Sequence, residues 1–305
     1  MSGRRRFLLL AVAVLAGCAA PAPAPERILE GRIWDARAGR FVGEDELLQR
    51  IRSVRYALLG EVHDHPMHHQ LRAGLIAGLG QPAEVFFEQF DREYDTALRE
   101  AQRADANADD LAKAGRLDAA WKWPLHRPLV TAALSAKYPV RAANLADSDT
   151  RRISKAGALG PQDAALAGAL ASTDWAAARE KALRAEIFES HCRALPEKFA
   201  PAIALAQRAR DAALALALGA ASEGAVLIAG NGHVRRDLGV PLYLPRGATV
   251  VSVGIVETQS GQADPRQYVS GANGEPKYDF LWFTAPHPRP DPCETFRKRA
   301  PAPPG

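Results

Sequence analysis

Arg55-Tyr56-Ala57-Leu58-Leu59-Gly60-Glu61-Val62-His63 is an apolar run that ends in Gly, two residues and His. Ala225-Val226-Leu227-Ile228-Ala229-Gly230-Asn231-Gly232-His233 repeats the arrangement far along the chain. A short apolar run stopped by glycine reads as a buried strand. In an open α/β sheet, ligands bind just beyond the carboxyl ends of such strands. Two histidines delivered in this way, from distant parts of the sequence, are placed to meet in one pocket.

Working outward, Arg27 to Phe41 reads as a hairpin turning at Ala38-Gly39, and Glu44 to Arg52 as a helix. Val54 to Leu59 is the first buried strand. The spacing of Leu71, Leu75, Ile76 and Leu79 predicts a helix over His65 to Leu79. Glu84 to Phe87 is the next strand, ending at Glu88, and Asp91 is placed to cap a helix through Arg103. Pro124 to Ala136 reads as a helix with proline in its first turn, and Val140 to Ala143 as a strand ending at Asn144. From about residue 150 to 220 the chain is Ala-rich and charged, without a strand signal. A helical subdomain is expected there, with long helices over Thr173 to His191 and Pro201 to Leu218. Ala225 to Ala229, Thr249 to Val256 and Asp279 to Thr284 return the chain to a sheet. Alternating strands and helices imply an α/β fold with a mainly parallel central sheet flanked by helices. Residues 27–285 read as one domain, and residues 286–305 as a Pro-rich tail.

The first residues belong to a targeting signal, not to the fold. Arg4, Arg5 and Arg6 precede a short apolar stretch, Phe7 to Leu15, too short to span a bilayer as a mature helix. It runs into Leu15-Ala16-Gly17-Cys18, which resembles the lipidation box of bacterial lipoproteins. Residues 1–17 are then a signal peptide, Cys18 carries the lipid, and residues 18–26 form a Pro/Ala tether. An uncharged Ala19 after the cysteine fits outer-membrane sorting. The net charge is +4, and three of those charges lie in the signal, so the rest carries about +1. Together with the absence of basic patches interleaved with aromatics, this argues against nucleic acid as a partner. Cys192 and Cys293 remain in an oxidising compartment, as a disulfide or as inert thiols. The His191-Cys192 pair has no third metal-ligating partner in view.

Glu61, His63, Glu88 and His233 sit at predicted strand ends, with Asn144 at another and Asn231 beside His233. Imidazole and carboxylate together suit manganese, cobalt, zinc or iron, and equally suit acid–base chemistry. His63, Glu88 and His233 are the candidate metal ligands. His65, His68 and His69 add imidazoles at the start of the following helix, near the mouth of the expected pocket. Trp121 and Trp123, with His126, offer a flat wall for a planar ligand, or plain lid packing. Arg210-Asp211 lies on a helix shortly before the second strand. Arg210 there either reaches a ligand carboxylate or forms an ordinary surface ion pair. No Gly-x-Ser-x-Gly elbow, P-loop, dinucleotide fingerprint or Cys-x-x-Cys-His motif is present, which argues against serine hydrolases, nucleotide enzymes and c-type cytochromes.

The chain resembles the ChaN-like haem-binding lipoproteins, part of a superfamily that includes the Tiki/TraB proteases and erythromycin esterases. The resemblance rests on Leu58-Leu59-Gly60-Glu61-Val62-His63-Asp64 with His68-His69-Gln70, and on Val85-Phe86-Phe87-Glu88-Gln89-Phe90. Ala143-Asn144-Leu145, Arg210-Asp211-Ala212 and Gly230-Asn231-Gly232-His233-Val234 complete it, in order along the chain. It implies haem binding in iron acquisition, possible pairing of two protomers around haem, and an axial ligand drawn from His68, His69, His126, Tyr94, Tyr138 or Tyr243. From the Tiki-like branch it implies a divalent-metal site at His63, Glu88 and His233, with Glu61 assisting. From the esterase branch it implies acid–base use of the same groups. Two functions follow as expectations. One is a lipid-anchored haem carrier whose ligand contacts include His68, His69, Trp121, Trp123, His126, Asn144, Arg210 and Asn231. The other is a metal-dependent hydrolase working through Glu61, His63, Glu88 and His233.

Overall fold

Both glycine-terminated runs are strands, and they are neighbours. β3 (Tyr56–Leu59) and β6 (Gly224–Ile228) pair in parallel, with Leu58 opposite Leu227 and Leu59 opposite Ile228. Every residue of β3 is buried, as expected of a strand covered by helices on both faces. The computed structural model describes residues 28–117, 121–291 and 293–294. The signal peptide, Cys18 and the tether lie outside the described residues, as does most of the Pro-rich tail.

The remaining strands are β1 (Ile33–Asp35), β2 (Arg40–Val42), β4 (Ala83–Asp91), β5 (Val140–Asn144), β7 (Val250–Glu257) and β8 (Phe280–Thr284). They form one eight-stranded sheet in the order β2-β1-β8-β7-β3-β6-β4-β5. The hairpin β1–β2 is antiparallel and joins β8 antiparallel, while the other six strands run parallel. The fold is therefore α/β with a mainly parallel sheet. β6 inserts between β3 and β4, so three strands from separate parts of the chain end side by side.

Helices α1 (Glu44–Arg52), α2 (Pro66–Ala77), α3 (Asp95–Arg103), α4 (Ala108–Ala114) and α5 (Arg127–Ser135) supply one apolar layer. Their Leu47, Leu75, Leu98, Leu111 and Leu129 pack with Val85, Phe87, Ile228 and Val253 of the sheet. The middle of the chain is helical, as its composition indicates: α6 (Asp147–Ala156), α7 (Ala164–Ser172), α8 (Ala177–Ser190) and α9 (Ala200–Gly219). Leu214 and Leu218 of α9 cover the other face with Leu58, Phe86, Leu227 and Leu281. A smaller core of Leu145, Ile153, Leu166, Ala206 and Ala209 holds α6, α7 and α9 together. Alanine is small enough to let α9 approach its neighbours closely, which explains the Ala-rich composition. No helix among the described residues is long and apolar enough to cross a membrane.

Three local expectations need correction. β4 does not stop before Glu88 but runs to Asp91, and its register against β5 shifts between Phe87 and Asp91. Glu88 and Gln89 lie in that irregularity. Asp91 does not cap a helix, because a 3-10 turn over Arg92–Tyr94 intervenes and no side chain caps α3. The helix expected from Pro124 begins only at Arg127. The Trp123–Pro124 peptide is cis, and Pro128 provides the proline of the first turn. Cys192 and Cys293 form a disulfide, with their Cα atoms 5.4 Å apart.

Candidate functional site

Glu61 is the hub of the site. It follows β3 by two residues, and its carboxylate is completely buried. A bare carboxylate in such a place costs several kcal/mol unless partners surround it. Its Oε1 accepts from Gln89 Nε2 at 3.1 Å and from His63 Nδ1 at 2.9 Å. His126 Nε2 stands 3.5 Å from the same oxygen. Its Oε2 is in contact with the Arg72 guanidinium and lies 3.0 Å from His69 Nδ1.

Arg72 comes from the buried side of α2 and is itself fully buried. It also donates to the Leu59 and His68 carbonyls at 3.3 Å each, and to His69 Nδ1 at 3.0 Å. Burial pushes its pKa down to about 9, with Glu88 opposing, which leaves it a cation at neutral pH. His69 donates from Nε2 to the His63 carbonyl at 3.0 Å, and so offers Nδ1 as an acceptor to Arg72. Burial lowers His69 to about 4 and His126 to about 2, so both rings are neutral. Among the described residues, Glu61, His69 and His126 bring ligand-type atoms within 4.8 Å of one another. That spacing suits a metal, but the guanidinium of Arg72 already supplies the positive charge at Glu61 Oε2.

His63 leads from this buried group to the outside. With Nδ1 held by Glu61, its Nε2 is the free position, 4.0 Å from Glu88 Oε2, and its side chain is 45% exposed. Desolvation lowers its pKa; Glu88 opposes this, but the His233 and Arg210 charges add to the lowering, so the ring is neutral at neutral pH.

Glu88 is the second buried carboxylate. It accepts from Gly230 N at 2.7 Å, Arg210 at 2.9 Å and His233 Nε2 at 3.2 Å. Burial alone would raise its pKa, but His233, His63 and Arg210 overcome this and hold it well below the usual carboxylate range. His233 Nδ1 donates to Asp211 Oδ1 at 2.7 Å. Burial opposes charge on His233, yet Glu88 and Asp211 outweigh it and raise the pKa to about 9. The two rings are thus placed alike, each with Nδ1 on a carboxylate and Nε2 toward Glu88, but they differ in charge: His63 is neutral and His233 is a cation. Gly230 makes room for this. A Cβ there would stand 2.7 Å from His63 Nε2 and 3.7 Å from Glu88 Oε2. His63, Glu88 and His233 thus lie side by side, with Glu61 and Asp211 behind the two rings, and the Glu88 oxygens are already taken by Gly230, Arg210 and His233; among the described residues the group whose ligand-type atoms all fall within 4.8 Å of one another is Glu61, His69 and His126 instead.

A cavity of about 450 Å³ opens beside His63, lined by Val62, His63, Asp64, Trp121, Lys122, His126 and Arg289. Trp121 meets the His63 ring edge-on at 5.0 Å and the His126 ring at 6.0 Å.

Other expected site residues have different duties. Trp123 is not part of the cavity wall. Its Nε1 donates to Asp109 at 2.9 Å, and the Arg127 guanidinium covers its ring. His68 is buried away from the cavity, because α2 turns its ring inward. Its Nδ1 accepts from Val62 N at 3.0 Å and its Nε2 donates to Thr284 Oγ1 at 2.8 Å. Asn231 donates to the Ile255 carbonyl at 2.6 Å, bracing β7. Arg210 is no surface ion pair: it binds Glu88 and reaches the Asn144 side chain at 3.2 Å, which brings both into the site. Tyr94, Tyr138 and Tyr243 do not line the cavity. Sequence reasoning missed Arg72 entirely, and with it the roles of Gln89 and Asp211. A signal for two of them existed. Arg72 shares a helix face with Leu75 and Ile76, and Asp211 one with Ala204, Ala215 and Leu218, where a charge is out of place unless paired.

Comparisons with known proteins agree with this architecture. A family model described as haem-binding uptake, Tiki superfamily, ChaN matches residues 47–244. A solved structure described as cofacial heme binding to ChaN of Campylobacter jejuni is similar at a TM-score of 0.65. It has 20% identity, over 82% of this chain and 95% of that one. The type III effector HopBA1 is similar at a TM-score of 0.44 and 14% identity, over 80% of this chain and 93% of that one. None of the curated proteins matches the sequence. With well over half of its length matched by the family model, the chain belongs to the ChaN haem-binding-uptake family of the Tiki superfamily.

Proposed function

We propose that this chain is a haem-binding protein of bacterial haem and iron acquisition, exported and anchored by a lipid on Cys18. Membership of the ChaN family supports haem as the ligand. The observation that carries the reading to a place in the molecule is the cavity beside His63. It joins a flat indole, Trp121, a neutral imidazole with its Nε2 unclaimed by Glu61, and the cation Lys122; Arg289 also lines it, paired with Asp64 and Glu257. A porphyrin needs an apolar planar wall and an axial nitrogen or phenolate, and its propionates need positive charge. The proposal includes sorting to the outer membrane, on its periplasmic side or at the cell surface, which the uncharged Ala19 after Cys18 supports. A homodimer around haem is part of the proposal. The test is haemin titration of the chain from Ala19 onward, followed by visible absorption. A saturable, shifted Soret band is expected, and its loss in His63→Ala would place haem in this cavity. Absence of any specific band would overturn the haem reading.

A second reading has its own support. His63 and His233, each oriented by a carboxylate and each directed at Glu88, offer the ligand types that manganese, cobalt or zinc takes in a metal-dependent hydrolase, with His233 giving up its Nε2 proton to bind. Such an ion would supply Lewis acidity and lower the pKa of water. The protein's own part would be Glu61 holding His63 as a neutral acceptor, and Arg210 offering positive charge beside Glu88. Metal content of the purified protein, compared with that of His63→Ala combined with His233→Ala, tests it. Equal metal in both would sink the site.

A further inference from the structure

After β8 the chain does not leave the molecule. The Ala285 carbonyl accepts from His65 Nε2 at 3.0 Å, and His287 N donates to Glu257 Oε1 at 3.0 Å. Arg289 then donates to Glu257 through both terminal nitrogens, at 2.8 and 2.6 Å, and to Asp64 Oδ2 through Nε at 3.1 Å. Asp64 is the neighbour of His63, and Arg289 lines the cavity beside it. Four residues later, Cys293 is bonded to Cys192, just past the end of α8 in the helical middle of the chain. Four residues span at most about 14 Å, and the two cysteine Cα atoms are 5.4 Å apart. Cys192, just past α8, is thereby tied by a covalent link to within about 20 Å of Arg289. The tail joins two parts of the fold: the ends of β7 and β3, and the helical segment.

We propose that this tail segment is a clasp over the rim of the His63 cavity, fastened by the Arg289 ion pairs and locked by the Cys192–Cys293 disulfide. Reduction of the disulfide by a dithiol opens it. In that exchange the S–S bond is cleaved, both cysteine sulfurs gain protons and the dithiol is oxidised to its own disulfide. The ion pairs are partly exposed to solvent and open reversibly, whereas the disulfide is covalent. The lock therefore sets how readily the cavity opens. This holds whichever ligand the cavity takes.

Diethyl pyrocarbonate modification of His63, followed by peptide mass spectrometry, reads the opening without any ligand. His68 in the same digest reports whether the whole fold has opened, since its ring is fully buried. The expected result is a several-fold faster modification of His63 after treatment with a dithiol, with His68 still protected. Cys192→Ser with Cys293→Ser should match the reduced protein and ignore the dithiol. Arg289→Gln, which keeps the disulfide, should give an intermediate rate. Equal His63 rates in oxidised and reduced protein would overturn the clasp, as would His63 and His68 becoming reactive together. A failure of haemin binding in the same preparations would count against the haem reading and leave these rates to judge the clasp.

Discussion

Asp211 Oδ1 accepts a hydrogen bond from His233 Nδ1 at 2.7 Å and thereby directs the Nε2 of that ring at Glu88. A carboxylate behind a metal-ligating histidine fixes its orientation and its basicity, and loss of such a partner lowers metal affinity by about 10–100-fold. Asp211→Asn is expected to weaken manganese or zinc binding by that order while leaving the fold intact. Titration with the metal alone, followed by calorimetry, checks it. Unchanged affinity would remove His233 from the proposed ligand set.

Arg72 balances Glu61 inside the protein. Removing one partner of a buried ion pair costs about 3–5 kcal/mol, because the other charge stays desolvated. Arg72→Met should therefore lower the unfolding free energy by about that amount. Adding Glu61→Gln to Arg72→Met should restore much of it. Urea unfolding of the wild type, the two single variants and the double variant measures the coupling directly.

The two tryptophans should separate cleanly. Trp121→Ala is expected to weaken haemin binding by about tenfold, or ~1.4 kcal/mol, since its indole stands on the cavity wall. Trp123→Ala should leave haemin affinity alone and cost about 1–3 kcal/mol of stability, because its bond to Asp109 and its cover by Arg127 are structural. Paired haemin titrations and thermal melts distinguish the two.

His68 predicts the acid behaviour. Burial lowers its pKa to about 3, against about 6.5 in an unfolded chain. Between those values the unfolded chain binds a proton that the native state refuses, so the contribution of His68 to stability falls as pH drops below about 6.5 and levels off near 3. Protonating the ring would also abolish its acceptance of the Val62 N–H. His69 and His126 act in the same direction. His68→Gln should flatten the acid limb of a stability–pH curve by about one proton, or ~1.4 kcal/mol per pH unit. An unchanged slope would show that the ring is protonated in the native state.

Much of this architecture was legible because local pattern and tertiary need agree. The runs before Gly60 and Gly230 are apolar throughout, and only a strand covered on both faces wants that. Histidines at their ends then had few places to go. What the sequence could not convey is pairing between distant residues. The α2 pattern puts Arg72 on the apolar face with Leu75 and Ile76 and so says that it needs a partner, but nothing in that pattern says the partner is Glu61. Arg210 looked like a surface residue until β4 was seen to carry Glu88 beneath it. Trp121 and Trp123 are two residues apart and chemically alike, so only the turn that separates them decides which one meets a ligand. Glu88 was expected at a strand terminus. Its placement depends instead on a register slip between β4 and β5, a property of two strands together and of neither alone.

The direct hydrogen bonding of β3 to β6 has a last consequence. Adjacent strands are held about 4.8 Å apart by their backbones, so the gap between the two histidine-bearing ends is set by the peptide ladder and not by the side chains planted on it. Substitutions at positions 63, 88 and 233 can exchange one donor for another, but they cannot widen the jaw. A porphyrin is far too broad to enter it and must stay on the outer, Trp121 side, while the inner gap admits an ion or a single small group. Diversification on this frame would then proceed by changing what grips at a constant aperture, with larger ligands accommodated only by what is built around its lip.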